Sequence, residues 1–161
     1  MGRAIAHPAT KTVSGTVAKA EATVVDVMTT TVQMINRDAS VAMAIAQMQD
    51  YGVRSLIVER PSDQTPYGII TERDIVYRVF ARGLDPQRVR VHDIMRQPCI
   101  AMEPSLSLQA AAQIFADTGI QRAPVIQSNT LLGIVSVTDL VMKSGSPFAS
   151  LELPPELLLA P

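Results

Sequence analysis

The sequence predicts an α/β (α+β) fold of two tandem β-α-β-β-α repeats, packed through their sheets with pseudo-two-fold symmetry. The first observation is a repeated heptapeptide: residues 68–74 (GIITERD) return 65 positions later as residues 133–139 (GIVSVTD). The second is an upstream match in register, because residues 26–28 (DVM) and 93–95 (DIM) lie 67 positions apart. Repetition of this kind indicates one structural unit used twice.

The first unit begins with a short strand near residues 32–35 and continues with a helix. Asp38 or Ser40 can cap that helix, because either side-chain oxygen can accept a backbone N–H. Gly52 ends it, since glycine adopts the left-handed conformation without a Cβ penalty. Between them, apolar residues recur at helical spacing and predict one buried face: Val41, Ala44, Ile45 and Met48.

Two strands and a second helix complete the first unit. Residues 54–59 contain the unbroken apolar run LIV, which suits a strand buried on both faces. A proline-containing loop leads to a strand at residues 67–71, followed by a helix over about residues 72–82. Gly83 and Pro86 close that helix, because proline cannot continue it.

The second unit is expected to repeat each of these steps. Its first helix stops at Gly119, and strands follow at residues 123–126 and 131–136. Asn129 lies in their tight connection, where it tolerates the left-handed conformation, and residues 137–143 form the closing helix. A unit of about sixty residues buries little surface alone, so we expect both units to share one core. The apolar positions of the first helix are Leu108, Ala111, Ala112 and Phe115.

The repeats divide the chain into five segments. The arm is expected to include a helix that packs on the body or on a partner, with His7 in solvent. The leucines at residues 157–159 are expected either to dock on a partner subunit or to cover the protein's own surface. The segments are an N-terminal arm (1–23), the first repeat (24–82), a linker (83–90), the second repeat (91–145) and a tail rich in proline and leucine (146–161).

Composition excludes several classes of protein. The net charge of −1, from 14 basic and 15 acidic residues, provides no field for nucleic acid or for an anionic membrane surface. No apolar run approaches the ~20 residues that a membrane span needs. The single cysteine, Cys99, fits a reducing compartment. We therefore expect a soluble cytoplasmic protein without nucleic-acid or membrane partners.

The sequence offers no pattern for catalysis. Cys99 has no histidine near it in sequence, and a small buried thiol suits it better than the role of nucleophile. His92 and Asp93 are too few for a metal site, which needs three or four ligands. A P-loop, a nucleophile elbow and a CxxC pair are all absent from the chain. We therefore expect neither enzymatic activity nor an obligatory cofactor.

Three repeated motifs together resemble a pair of CBS (cystathionine beta-synthase) domains, the Bateman module. They are the doubled G-h-h-(S/T)-x-x-D, where h is apolar, the preceding G-h-x-x-h-x-h strand and the Asp-h-Met lead-in, and they cover roughly residues 24–145. Ile57 departs from the family, which commonly has proline there, as the second copy does at Pro124. The resemblance implies a stand-alone regulatory module for an adenosine-containing ligand. AMP is the first choice, and ADP, ATP or NAD are possible.

Asp74 and Asp139 are the central candidates for binding. An ionised carboxylate can accept from both adjacent hydroxyls of a ribose, and the resemblance implies this role. Each aspartate also fits a capping box with Thr71 or Ser136, which would explain it without a ligand. The two roles can coexist, because a helix N-terminus leaves N–H groups for an anion. Thr71 and Ser136 either cap or contact a phosphate or ribose oxygen.

Residues near the motifs are candidates for binding phosphate. Arg73 and Thr138 occupy the adjoining contact position implied by the resemblance, and Arg73 is either a phosphate ligand or a solvated side chain. Arg54 and Arg122 lie at strand starts, where the family supplies basic phosphate ligands. A salt bridge or an exposed position is the alternative for each. These arginines favour a phosphate-bearing ligand over S-adenosylmethionine.

The resemblance further implies that each cleft is built across the pair. The implied adenine contacts are apolar and would serve equally well in a core: Val32, Cys99, Val53, Ile120, Ile69 and Ile134. The Asp139 cleft should borrow Val32, Val53, Arg54 and Ser55 from the first unit. The Asp74 cleft should borrow Cys99, Ile120, Gln121 and Arg122 from the second.

The implied mechanism is a ligand-dependent shift between arrangements of the two units, read by an unidentified partner protein. Apolar helix faces left after intrachain packing are expected to drive a symmetric homodimer. The alternative is an interaction or dimerisation module with vestigial clefts. That alternative predicts the same fold and a stable dimer, but no affinity for nucleotides.

Overall fold

The structure is a computed structural model that describes residues 21–145. The expectations for His7, for a helix in the arm and for the leucines at 157–159 fall outside these residues. Within them, no helix has the length and apolar character needed to cross a membrane.

The first unit contains three helices and a three-stranded sheet. Strand β2 lies in the middle, parallel to β1 and antiparallel to β3. The last predicted helix is shorter than expected, because α3 ends at Arg78 and a separate 3-10 turn, Phe80–Arg82, follows before Gly83. The elements are α1 (Val24–Val27), β1 (Met34–Ile35), α2 (Val41–Tyr51), β2 (Ser55–Val58), β3 (Gly68–Thr71) and α3 (Glu72–Arg78).

The second unit repeats this order with one difference. Strands β4 and β5 form a two-stranded antiparallel sheet, and residues 91–145 contain no strand equivalent to β1. At the equivalent position, Met102 pairs with Val125 of β4 through a single parallel β-bridge. Asn129 has φ of 64° in the tight connection, as predicted. The elements are α4 (Val91–Ile94), α5 (Leu108–Thr118), β4 (Arg122–Gln127), β5 (Thr130–Ser136) and α6 (Val137–Lys143).

The two long helices, α2 and α5, have matching boundaries. Ser40 caps α2 through its hydroxyl, which accepts from the Met43 amide at 3.2 Å, so Ser40 rather than Asp38 is the cap. Ser107 caps α5 in the same way. Gly52 and Gly119 end the helices with φ of 63° and 69°. The predicted start and end of α2 and the predicted end of α5 are therefore confirmed.

Replacing Gly52 or Gly119 with alanine is expected to lower the free energy of unfolding by about 1 kcal/mol each, because alanine is strained at positive φ. A Cβ at either position would meet nothing within 4 Å, so the cost is conformational and not steric. Urea unfolding measures it. Asparagine, which tolerates this conformation, should recover part of the loss at the same positions. Equal stability of the alanine and glycine proteins would contradict this account.

Buried apolar side chains form two clusters, and each is completed by a short helix from the other unit. Val91 and Ile94 of α4 pack into the cluster built around α2, β2 and β3. Val24 and Val27 of α1 pack into the cluster built around α5, β4 and β5. The expectation of one shared core is therefore corrected to two cores, because the lead-in helices cross between units.

Backbone pairing repeats this crossing. Thr29, just after α1, exchanges hydrogen bonds of 2.8 and 2.9 Å with Ile134 of β5. Arg96, just after α4, exchanges bonds of 2.9 and 3.0 Å with Ile69 of β3. Each unit thus adds a segment to the sheet of the other, which relates the two copies by pseudo-two-fold symmetry and brings their strand ends together.

Candidate functional site

Two clefts lie where the heptapeptide motif of one unit faces the strand start of the other. The first, the Asp74 cleft, has a volume of about 300 Å³. Its lining from the first unit is Ile69, Thr71, Arg73, Asp74, Tyr77 and Arg78. Its lining from the second unit and its lead-in is Arg96, Ile100, Thr118, Gly119, Ile120, Gln121 and Arg122.

The second, the Asp139 cleft, has a similar volume of about 330 Å³. The first unit and its lead-in contribute Thr29, Thr31, Val32, Gln33, Gly52, Val53, Arg54 and Ser55. The second unit contributes Arg122, Ile134, Ser136, Thr138 and Asp139. The structure therefore brings each motif together with the residues that it was expected to borrow, with one exception.

The exception is Cys99, which is not among the residues that line the Asp74 cleft. Its amide donates to the carbonyl of Tyr67 at 3.1 Å, and the neighbouring Ile100 lines the cleft instead. Ile100 corresponds to Gln33 at the offset of 67, and Gln33 lines the Asp139 cleft, so this pair of equivalent positions lines both clefts. Val32 lines its cleft but its equivalent Cys99 does not. Burial raises the pKa of the Cys99 thiol, which favours the protonated, unreactive form.

Sequence reasoning missed several lining residues. Tyr77 and Arg78 lie one turn beyond Asp74 on α3 and point along the same side of that helix. Thr29 and Arg96 enter because each pairs with a strand of the other unit. The available signal was the Asp-h-Met lead-in, since both residues directly follow its methionine and so occupy equivalent positions in the repeats.

Both motif aspartates act as helix caps, through one oxygen each. Asp74 Oδ2 accepts from the Thr71 amide at 3.0 Å and from the Thr71 hydroxyl at 2.8 Å. Asp139 Oδ2 accepts from Ser136 in the same way, at 2.8 and 2.7 Å. Within residues 21–145, Asp74 Oδ1 accepts no hydrogen bond, whereas Asp139 Oδ1 contacts Lys143 Nζ at 2.7 Å. Capping therefore leaves the Asp74 carboxylate able to accept from a sugar hydroxyl.

The motif hydroxyls are committed to the same caps. Thr71 Oγ1 donates to Asp74 and accepts from its amide at 3.2 Å, and Ser136 Oγ does both with Asp139. A hydroxyl has one proton to donate and two lone pairs. While the caps are intact, each hydroxyl can accept from a sugar but cannot donate to a phosphate.

Arginine side chains make the Asp74 cleft basic. Arg73 Nη1 donates to the carbonyl of Gly119 at 3.1 Å, and its guanidinium lies 5.3 Å from the centre of the Tyr77 ring. Arg73 is therefore an exposed side chain that one hydrogen bond holds across the two units. Arg78 donates to the carbonyl of Ile94 at 3.2 Å from the rim of the same cleft. Residues 21–145 contain no cluster of His, Cys, Asp and Glu that could hold a metal ion.

Comparison with known proteins identifies the family. A family model described as the CBS domain matches residues 24–81 and 91–145. This chain belongs to the CBS domain family. CBS domain pairs generally form regulatory or interaction modules, are generally non-catalytic and commonly bind adenosine-containing ligands.

Relatives with this pair occur in bacteria and archaea. The CBS domain-containing protein YhcV of Bacillus subtilis is 32% identical over 122 residues, which are 75% of this chain and 84% of YhcV. An uncharacterized protein of Methanopyrus kandleri is 36% identical over 107 residues, 66% of this chain but only 54% of that protein. A solved hexameric CBS-CP12 protein from bloom-forming cyanobacteria is 48% identical with a TM-score of 0.75, covering 77% of this chain and 72% of that one. The chain thus spans about half the length of the archaeal relative.

Proposed function

We propose that this chain is a non-catalytic regulatory module that binds an adenosine-containing nucleotide in its two clefts, with AMP the first choice. The observation that supports it most is that each motif carboxylate lies in a cleft completed by the strand start of the other unit. ADP, ATP or NAD would present the same ribose and adenine. The arginines of both clefts favour a ligand that carries phosphate.

The Asp74 cleft supplies the groups that such a ligand requires. Asp74 Oδ1 accepts from the ribose hydroxyls, while Ile69 and Ile120 provide apolar surface for adenine. The phosphate contacts the arginines, where a charge-assisted hydrogen bond contributes about 1.5–3 kcal/mol. Because both units contribute to each cleft, the ligand favours one arrangement of the units, and this preference is the signal.

We further propose that the regulated form is a homodimer. Two exposed apolar surfaces flank the clefts, one on α2 and α3 and one on α5 and α6. Phe80 is 53% exposed on the first surface and Val141 is 77% exposed on the second. A symmetric dimer would bury both surfaces, giving four units in a flat disc. The cyanobacterial relative described as hexameric agrees with a tendency of this module to associate.

Substituting both Asp74 and Asp139 with alanine is expected to abolish stabilisation by AMP. For the wild type, ligand at ~100 times its dissociation constant stabilises by about 2.7 kcal/mol and raises the melting temperature by several degrees. A thermal-shift series with AMP, ADP, ATP, NAD and S-adenosylmethionine measures this effect. The matched control is Asp26→Ala, which removes the same type of cap from α1 but lies outside both clefts. It should retain the response.

The second candidate function is an interaction module whose aspartates serve only as caps. Two observations favour it: the capping boxes account for both aspartates without a ligand, and the exposed apolar surfaces would serve a protein partner equally well. A folded dimer that shows no shift with any of the five compounds would establish this alternative. A shift lost in Asp26→Ala as well as in the double variant would also count against the nucleotide site.

A further inference from the structure

Arg122 is the one residue within 21–145 that lines both clefts. It is the first residue of β4, where it pairs with Ser136 of β5. The equivalent residue in the first unit is Ser55, which begins β2, pairs with Thr71 and lines the Asp139 cleft alone. The repeats therefore place a long cationic side chain at one position and a small buried hydroxyl at its counterpart, which breaks the pseudo-symmetry.

Charges from both sides act on the Arg122 guanidinium. Burial is the largest influence on Arg122 and lowers its pKa. The carboxylate of Glu72, at the start of α3, raises this pKa. Two smaller influences follow, because Arg54 lowers the pKa and Asp139 raises it. Arginine nevertheless stays charged in proteins. Among residues 21–145, the Arg122 side chain forms no hydrogen bond and no ion pair. A half-buried cation without a fixed partner is therefore available to an anion in either cleft.

We propose that Arg122 serves the two clefts alternately, so that a phosphate group bound in one cleft weakens the binding of a phosphate group in the other. This inference rests on the proposed function. A guanidinium is planar and binds a phosphate most strongly through two parallel hydrogen bonds from one edge. Turning that edge towards one cleft turns it away from the other, so we expect this contact in only one cleft at a time. Because coupling between two binding sites is reciprocal, each ligand weakens the other by the same factor.

The other arginines determine which cleft loses more phosphate affinity when Arg122 turns away from it. The Asp74 cleft retains Arg73, Arg78 and Arg96 when Arg122 turns away. The Asp139 cleft retains only Arg54, and its carboxylate is already paired with Lys143. The Asp74 cleft should therefore fill first with a phosphate-bearing ligand, and the Asp139 cleft should fill second and more weakly.

Calorimetric titration of the full chain with AMP tests this proposal through the single-cleft variants. Asp74→Ala leaves the Asp139 cleft intact, with Arg122 free to serve it. The second binding step of the wild type should be about tenfold weaker than binding to Asp74→Ala, which is a difference of about 1.4 kcal/mol in binding free energy. Adenosine carries no phosphate, so its second binding step in the wild type should have the same affinity as its binding to Asp74→Ala.

Three arginine variants separate a shared residue from residues that serve one cleft. Arg122→Gln should weaken AMP binding in both single-cleft variants, Asp74→Ala and Asp139→Ala. It should also abolish the difference in affinity between the second binding step of the two-cleft protein and binding to Asp74→Ala. Arg54→Gln should weaken only the Asp139 cleft, and Arg73→Gln only the Asp74 cleft. If Arg122→Gln fails to fold, Arg122→Lys keeps the charge but removes the fork and should reduce the coupling.

The outcomes distinguish this inference from the proposed function. AMP that binds both clefts independently, or more tightly at the second step, would overturn the shared arginine and leave the nucleotide module intact. No binding of AMP, ADP, ATP or NAD to the wild type or to either single-cleft variant would overturn both. The strongest form of the expected result would be AMP binding to the Asp74 cleft alone in the wild type, with binding to the Asp139 cleft detected only in Asp74→Ala.

Discussion

Gly133→Ala is expected to lower the free energy of unfolding by about 3 kcal/mol, because overpacking a tight contact costs 1–3 kcal/mol and here the neighbour is backbone. A Cβ on Gly133 would lie 2.6 Å from the Thr29 carbonyl oxygen and 2.9 Å from Met28 Sδ. Thr29 cannot move freely, since its two hydrogen bonds to Ile134 join the units at this point. The motif glycine is thus required by the segment that crosses from the other unit.

Gly68→Ala is the matched control and should cost only about 1 kcal/mol. Its Cβ would meet Met95 Sδ at 3.0 Å, and a flexible thioether can move aside. Urea unfolding of both variants measures the difference through the midpoint, provided the slope is unchanged. Gly133→Ala should also reduce AMP affinity at the Asp139 cleft, which Thr29 and Ile134 line. Equal losses of stability in the two variants would contradict this account, because they would show that the Thr29 backbone moves aside as easily as the Met95 side chain.

Local signals in the sequence were sufficient for most of the fold. The serine caps, apolar spacing and terminal glycines of α2 and α5 act within one helix, so the sequence carries them directly. Helices α1 and α4 were missed, because four residues are too few for a periodic pattern. The spacing of Thr23 and Asp26 does fit a capping box, which was the available signal for α1.

The candidate site was predictable to the extent that it follows the repeats. Asp74 and Asp139 could be placed because strand, cap and helix are contiguous in each motif. Cys99 was misplaced because repeat alignment does not determine which of two neighbouring residues faces a cleft. The shared position of Arg122 could not be read from the sequence, since it depends on how the two strand starts approach each other in three dimensions.

Because helix α1 packs into the core of the second unit, substitutions in α1 are expected to destabilise that unit strongly. Val24→Ala combined with Val27→Ala should destabilise the second unit by about 3–5 kcal/mol, although both residues belong to the first unit. The side chains of Val24 and Val27 are 0% and 1% exposed, and they lie in the cluster that contains Leu108, Phe115 and Val125. The Val24 amide also donates to the Leu106 carbonyl at 2.9 Å.

Native-state hydrogen exchange can locate this loss, because it resolves the opening of separate parts of a structure. In the Val24/Val27 variant, amides of β4 and β5 should lose protection before those of β2 and β3. Val91→Ala combined with Ile94→Ala is the reciprocal control, since those residues lie in the first cluster and should expose β2 and β3 first. Early exposure of β2 in the Val24/Val27 variant would mean that each lead-in helix stabilises its own unit. If β4 and β5 open first in the Val24/Val27 variant, and β2 and β3 open first in the Val91/Ile94 variant, then neither unit has a complete core without the other.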